Sequence, residues 1–175
     1  MIKTLIGALA VGGALLTAAP ANAATYIEFE NDSSAFDLVM SATSVTNGAS
    51  VGLATDNNAT LGQWREEIVG TAIDGLAQRR FVLRASEGSV AGPLCLAVND
   101  NIQPGQALGV KVATCNTLNA QRWTLHSGGV GLVRLRNEKY RTHFIARVSG
   151  SPEFITPLQM TTAFSGSTWV ERASG

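Results

Sequence analysis

The sequence predicts an all-β domain built from three repeats, on two observations. Short alternating runs, Tyr26–Phe29, Phe81–Arg84 and Leu132–Arg136, are separated by clusters of Gly, Asn, Asp and Ser. Period-two alternation bounded by turn residues is the pattern of half-buried strands, and no long helical periodicity competes with it. The 18 glycines suit such a chain, since tight turns call for positive φ. The second observation is self-similarity. With Trp64 set over Trp123, Val51–Trp64 lies without gaps on Val110–Trp123: Val51 matches Val110, Ala54 and Thr55 match Ala113 and Thr114, and Asn57 matches Asn116. Trp169 closes a third copy, Leu158–Trp169, two residues shorter.

Taken in order, the chain opens with a segment that does not belong to the fold. Lys3 is its only charge, an apolar run extends from Leu5 to Leu16, and Pro20 precedes Ala21, Asn22 and Ala23. A charged start, a short apolar core and an A-x-A end make a bacterial-type secretory signal peptide over residues 1–23, cut after Ala23. The apolar run is too short and too rich in small residues to span a bilayer. The expectation is a secreted, extracellular protein whose residues 24–175 form one domain, with no transmembrane segment. Its repeats fall at approximately 25–75, 76–127 and 128–175, and Phe29, Leu83 and Leu135 open them, 35, 40 and 34 residues before their tryptophans. In an oxidising compartment Cys95 and Cys115 are most simply one disulfide. It would close a loop of about 20 residues and stabilise by roughly 3 kcal/mol. Two cysteines and two histidines do not make a zinc site, so neither a metal nor a cofactor is expected.

Charge is segregated. Between Thr25 and Gly75 eight acids face Arg65 alone, whereas from Leu76 onward eleven basic residues face five acids. Solvated strand faces account for such a split, and so does a polarity that orients a partner.

Unit two carries a family resemblance. Leu94–Val98 reads as a C-L-x-V strand; a Gly/Asn/Pro-rich turn, Gly109–Cys115 and Asn119–Trp123 follow, the last holding Gln121 and Trp123 as a Q-x-W signature. This resembles the ricin-B β-trefoil repeat over residues 80–125. Units one and three share less of it, lacking both cysteines and carrying Gly62 and Ser167 where Gln121 stands. The resemblance implies a β-trefoil: six strands closing a short barrel, capped by three hairpins, with few free edges. Trp64, Trp123 and Trp169 then read as core rings around a pseudo-threefold axis.

The resemblance also implies glycan binding, and there the residues depart from it. The family's sugar-accepting aspartate stands at Ala97, with Ser41 and Ala146 at the equivalents. Its stacking aromatic stands at Ala113, with Ala54 and Thr161 in the other units. Its asparagine position is Ala120, beside Asn119. Candidate ligand contacts are therefore Asn119, Gln121, Tyr140, Arg134, Arg136 and Arg141, with Tyr26 and Phe154 as further loop aromatics. The alternative is a protein-binding module, such as an adaptor or accessory subunit of a secreted toxin complex or a protease inhibitor. Its support is the charge split and the basic stretch Arg134–His143 with Arg147. On a strand, Arg134 and Arg136 share one face and Val133 and Leu135 the other. Ala24–Asn31 is a second candidate, as a segment that pairs with another protein's sheet edge.

Other classes find little support. Twelve basic against thirteen acidic residues after position 23 make a poor polyanion binder, so no nucleic acid partner is expected. His126 and His143 stand in no metal-binding or catalytic motif, and there is no G-x-S-x-G. Glu66 and Glu67 are strand neighbours and face opposite ways, and Gly128-Gly129 reads as a hairpin connection. The expectation is a protein that binds without catalysing.

Overall fold

The computed structural model describes residues 25–32, 37–101, 107–148, 157–164 and 166–174. The predicted signal peptide and Phe154 lie outside them.

Among the described residues twelve strands form, four to each unit. Unit one holds β1 (Tyr26–Asn31), β2 (Leu38–Ala42), β3 (Val51–Thr55) and β4 (Trp64–Thr71). Unit two holds β5 (Ala77–Leu83), β6 (Leu94–Asn99), β7 (Gly109–Thr114) and β8 (Trp123–Gly129). Unit three holds β9 (Leu132–Asn137), β10 (Phe144–Ala146), β11 (Gln159–Thr161) and β12 (Trp169–Ala173). The first and last strands of the units pair antiparallel in the cyclic order β1, β4, β5, β8, β9, β12 and back to β1. The middle strands pair as three hairpins, β2–β3, β6–β7 and β10–β11. Two of the connections between ring strands are tight turns that use glycine at positive φ, Gly75 (81°) and Gly131 (72°). Gly128 lies in a bulge of the β8–β9 hairpin, beside its turn.

The strands alternate because one face of each meets a common core. All three tryptophans are fully buried. Each indole Nε1 donates to a carbonyl on the second strand of its own unit: Trp64 to Met40 (3.1 Å), Trp123 to Leu96 (3.0 Å) and Trp169 to Ile145 (3.2 Å). The same bond made three times is what holds a large amphipathic ring in an apolar centre.

Strand register corrects one expectation. Trp64, Trp123 and Trp169 pair with Leu83, Asn137 and Asn31, so these three are equivalent. The counterpart of Phe29 and Leu135, two residues earlier, is therefore Phe81 and not Leu83. Phe29, Phe81 and Leu135 are all fully buried, and the two phenylalanine rings meet edge to face at 5.1 Å. Phe81 and Leu83 share one strand face, so alternation alone gives either the same inward orientation.

The charge split closes on itself. Acids of the first third pair with bases from later in the chain: Glu66 with Arg79, Glu67 with Arg80 (2.5 Å), Asp74 with Arg136 (2.6 Å) and Glu30 with Arg172 (2.5 Å). Four of the eight acids behind the apparent dipole are thus taken up in cross-strand and inter-unit pairs. β1 is paired with β12 along one side and with β4 and β2 along the other, so Tyr26–Asn31 offers no free edge.

Candidate functional site

The tryptophan bonds fix which residues correspond between units. Met40, Leu96 and Ile145 accept the same bond, so Ser41, Ala97 and Ala146 follow them at one station. The hairpins pair Met40 with Leu53, Leu96 with Val112 and Ile145 with Met160, which makes Ala54, Ala113 and Thr161 equivalent as well. The correspondences drawn from sequence therefore hold in space. None of these six side chains is an aromatic plate or a carboxylate.

A groove nevertheless persists at this station in unit two, about 390 Å³ in volume. Its floor is Ala97, Val98, Ala113 and Ala120, and its polar rim is Asp100, Lys111, Asn116, Asn119 and Lys139. The walls are held by local chemistry. The Cys95–Cys115 disulfide, with its Cα atoms 5.0 Å apart, ties β6 to the segment after β7. Gln121 is buried; its Nε2 donates to the Thr114 carbonyl (2.9 Å) and its Oε1 accepts from the Asn116 amide (2.8 Å). Asn137 Nδ2 donates to the carbonyls of Ala120 (3.1 Å) and Arg122 (3.2 Å), anchoring the short 3₁₀ turn Asn119–Gln121. Gln121 thus shapes the groove, and Asn119 is exposed at its edge.

Asp100 and Lys139 form an ion pair across the groove. The hydrogen bond from Lys139 holds the Asp100 carboxyl below its ordinary range against an opposing effect of burial, and the charges of Lys139 and Lys111 lower it further. Asp100 lies three residues beyond Ala97, so a carboxylate is still present, displaced to the end of β6. Sequence reasoning missed Asp100 and Lys111, and read Lys139 only as part of the basic stretch Arg134–His143. Lys111 was legible in principle, since it alternates outward between the buried Val110 and Val112. Lys139 arrives from unit three, and nothing in its own stretch of sequence told that it would meet the hairpin of unit two.

The equivalent groove of unit one, about 260 Å³, is lined by Ser41, Ala54, Asp56 and Asn57 among others, with Glu28 beside them. In unit three the stations corresponding to Val39 and Leu118 are Phe144 and Phe164. Their rings lie 5.8 Å apart, and the Arg134 guanidinium sits 4.6 Å over Phe164, which is 61% exposed.

The remaining candidates are mostly occupied within the protein. Arg136 bonds Asp74 (2.6 Å) and the buried Glu138 (3.2 Å), and Arg141 approaches Glu138 at 3.6 Å. Tyr140 packs on the core, and the Tyr26 hydroxyl donates to Glu87 (2.5 Å) with Arg84 stacked 4.4 Å over its ring. Glu66 and Glu67 answer different arginines, as their alternation requires. His126 Nε2 lies 3.1 Å from the buried Thr124 hydroxyl and 4.0 Å from Asp74. Both partners address the same ring nitrogen, whereas a proton relay needs one on each.

The sequence matches no protein-family model and no curated protein. Its structure does find relatives. It is similar to an exo-β-1,3-galactanase from Clostridium thermocellum (TM-score 0.71, 20% identity, 87% of this chain but 31% of that one). It is also similar to the Haemophilus ducreyi cytolethal distending toxin (0.63, 13%, 94% and 93%) and to the Macrolepiota procera ricin B-like lectin in complex with lactose (0.59, 13%, 87% and 98%). The fold is the ricin-B-type β-trefoil. On this trefoil the pseudo-threefold stations become three comparable surface sites, of which unit two keeps the larger of the two grooves described and unit three carries the Phe144–Phe164 ring pair.

Proposed function

We propose that the chain is a secreted carbohydrate-binding module that acts without catalysis, with the unit-two groove as its saccharide site. The observation that carries this is the groove itself. At the station where the resemblance places a sugar, an alanine floor is rimmed by a carboxylate, two asparagines and two lysines. Small apolar floors with a few convergent polar groups suit a sugar ring, whose faces are apolar and whose edge is hydroxylated. The lectin neighbour supports the class, and the disulfide supports an oxidising destination. The test is a glycan array probed with residues 24–175 in multivalent display, followed by titration of any hit. Asn119→Ala should weaken binding by about tenfold, the effect of losing a hydrogen bond to a charged or strongly polar group. A blank array would refute the proposal.

A second reading, a protein-interaction module such as a toxin accessory subunit or protease inhibitor, is favoured by the exposed Phe164 beneath Arg134. Aromatic and arginine side chains together are the residues that dominate protein interfaces. Loss of a stoichiometric partner on Phe164→Ala, with glycan binding intact, would establish it.

A further inference from the structure

We infer that the unit-two groove is built for an acidic saccharide, one bearing a carboxylate or sulfate, and that the chain binds one such ligand and not three. The inference rests on the groove being the saccharide site, and it concerns what that site selects. Recognition of a neutral sugar by this fold, as the resemblance implies it, relies on an acceptor carboxylate at the position of Ala97 and an aromatic plate at that of Ala113. Unit two has neither. It has instead two ammonium groups, Lys111 on β7 and Lys139 after β9, converging on a groove with a single acid, Asp100. With all three ionised the groove carries one net positive charge. Lys111 forms no ion pair among the described residues, and its charge reaches Asp100 across the groove. The segment 102–106, which joins the two strands of the hairpin, contributes no charged residue to alter this balance.

The other units sharpen the point. The unit-one groove is lined by Asp56 and Glu28 with no basic residue, so it repels what unit two attracts. Unit three carries the Phe144–Phe164 ring pair at the corresponding stations, with Arg134 over the Phe164 ring. The two hairpin grooves thus differ in chemistry, and of these two only that of unit two is cationic. An anionic group on a sugar would sit against Lys111 and Lys139, with Asn116 and Asn119 placed for its hydroxyls. Charge-assisted hydrogen bonds of this kind are short and about twice as strong as neutral ones.

The experiment is calorimetric titration of residues 24–175 with matched saccharides that differ only in the acid, sialyllactose against lactose and a sulfated against an unsulfated disaccharide. The acidic member should bind about ten- to a hundredfold tighter, with a stoichiometry near one. Rising salt should narrow the difference. Lys111→Gln should bring the acidic ligand close to the affinity of the neutral one, with an unchanged thermal midpoint, whereas Asp56→Asn in unit one should leave both affinities as they were. Equal binding of acidic and neutral members would overturn the inference while leaving the saccharide site standing. Loss on Asp56→Asn, a stoichiometry near three, or equal competition by an acidic peptide would overturn it too. Failure of every saccharide to bind would remove the underlying proposal with it.

Discussion

Replacing Trp123 by phenylalanine and by alanine measures how far the core depends on its repeated ring. The indole is fully buried, and its Nε1 donates to the Leu96 carbonyl at 3.0 Å. Phenylalanine keeps one aromatic ring and removes the donor, leaving a buried carbonyl short of its partner at about 1–3 kcal/mol. It also removes a little apolar surface, at about 0.8 kcal/mol per carbon. The expected cost of Trp123→Phe is therefore about 2–4 kcal/mol. Trp123→Ala empties the site and should reach the upper part of the range for aromatic truncation, about 5 kcal/mol. Either is a large fraction of the roughly 5–15 kcal/mol that a domain of this size has in reserve. Urea unfolding of both variants at constant m-value gives the numbers directly. Trp64→Phe and Trp169→Phe should fall in the same range, because their bonds to Met40 and Ile145 are 3.1 and 3.2 Å. Costs below about 1 kcal/mol for both Trp123 variants would mean that the ring is not a core element, and would refute the threefold argument built on it.

Two further outcomes follow from the same structure. Replacing Cys95 and Cys115 together, by Ala and Ser, should cost about 3 kcal/mol from loop closure alone; the bridged residues are 20 apart in sequence, and a change under about 1 kcal/mol in denaturant unfolding would contradict the bridge's stabilising role. Burial, then the positive charge of Arg136, holds the His126 imidazole below its ordinary value of 6.5, with Asp74 and Glu138 offsetting only part of this. The native state then binds fewer protons than the unfolded chain just below pH 6.5, so stability should decline as pH falls through that window and level off below the native value. His126→Gln should flatten this decline, and parallel stability curves for the two proteins between about pH 7 and 5 would exclude it.

The legible parts of the fold were those written in local chemistry. Alternation marked the strands, and the tryptophans marked the repeats because a ring that must be buried and hydrogen-bonded tolerates few substitutes. The correspondence of Ser41, Ala97 and Ala146 was readable for the same reason: each sits one residue past the carbonyl that its tryptophan binds. The register of Phe81 was not, because Leu83 on the same strand face satisfies the same pattern. The basic stretch Arg134–His143 looked like a free surface in sequence. In the fold Arg136 is drawn onto Asp74 and Glu138, partners 62 and two residues away, and only Arg134 turns to an exposed ring.

The three tryptophans, the two cysteines and the period-two runs by themselves determined a three-unit β domain, because burial, oxidation and alternation are properties of a residue and its near neighbours. The composition of the sites was decided elsewhere. Asp100 and Lys139 are 39 residues apart and meet only because β9 of unit three leads its following segment back over the hairpin of unit two. Electrostatic complementarity is a property of distance, and distance between units is set by how the ring of strands closes, which no single stretch of sequence contains.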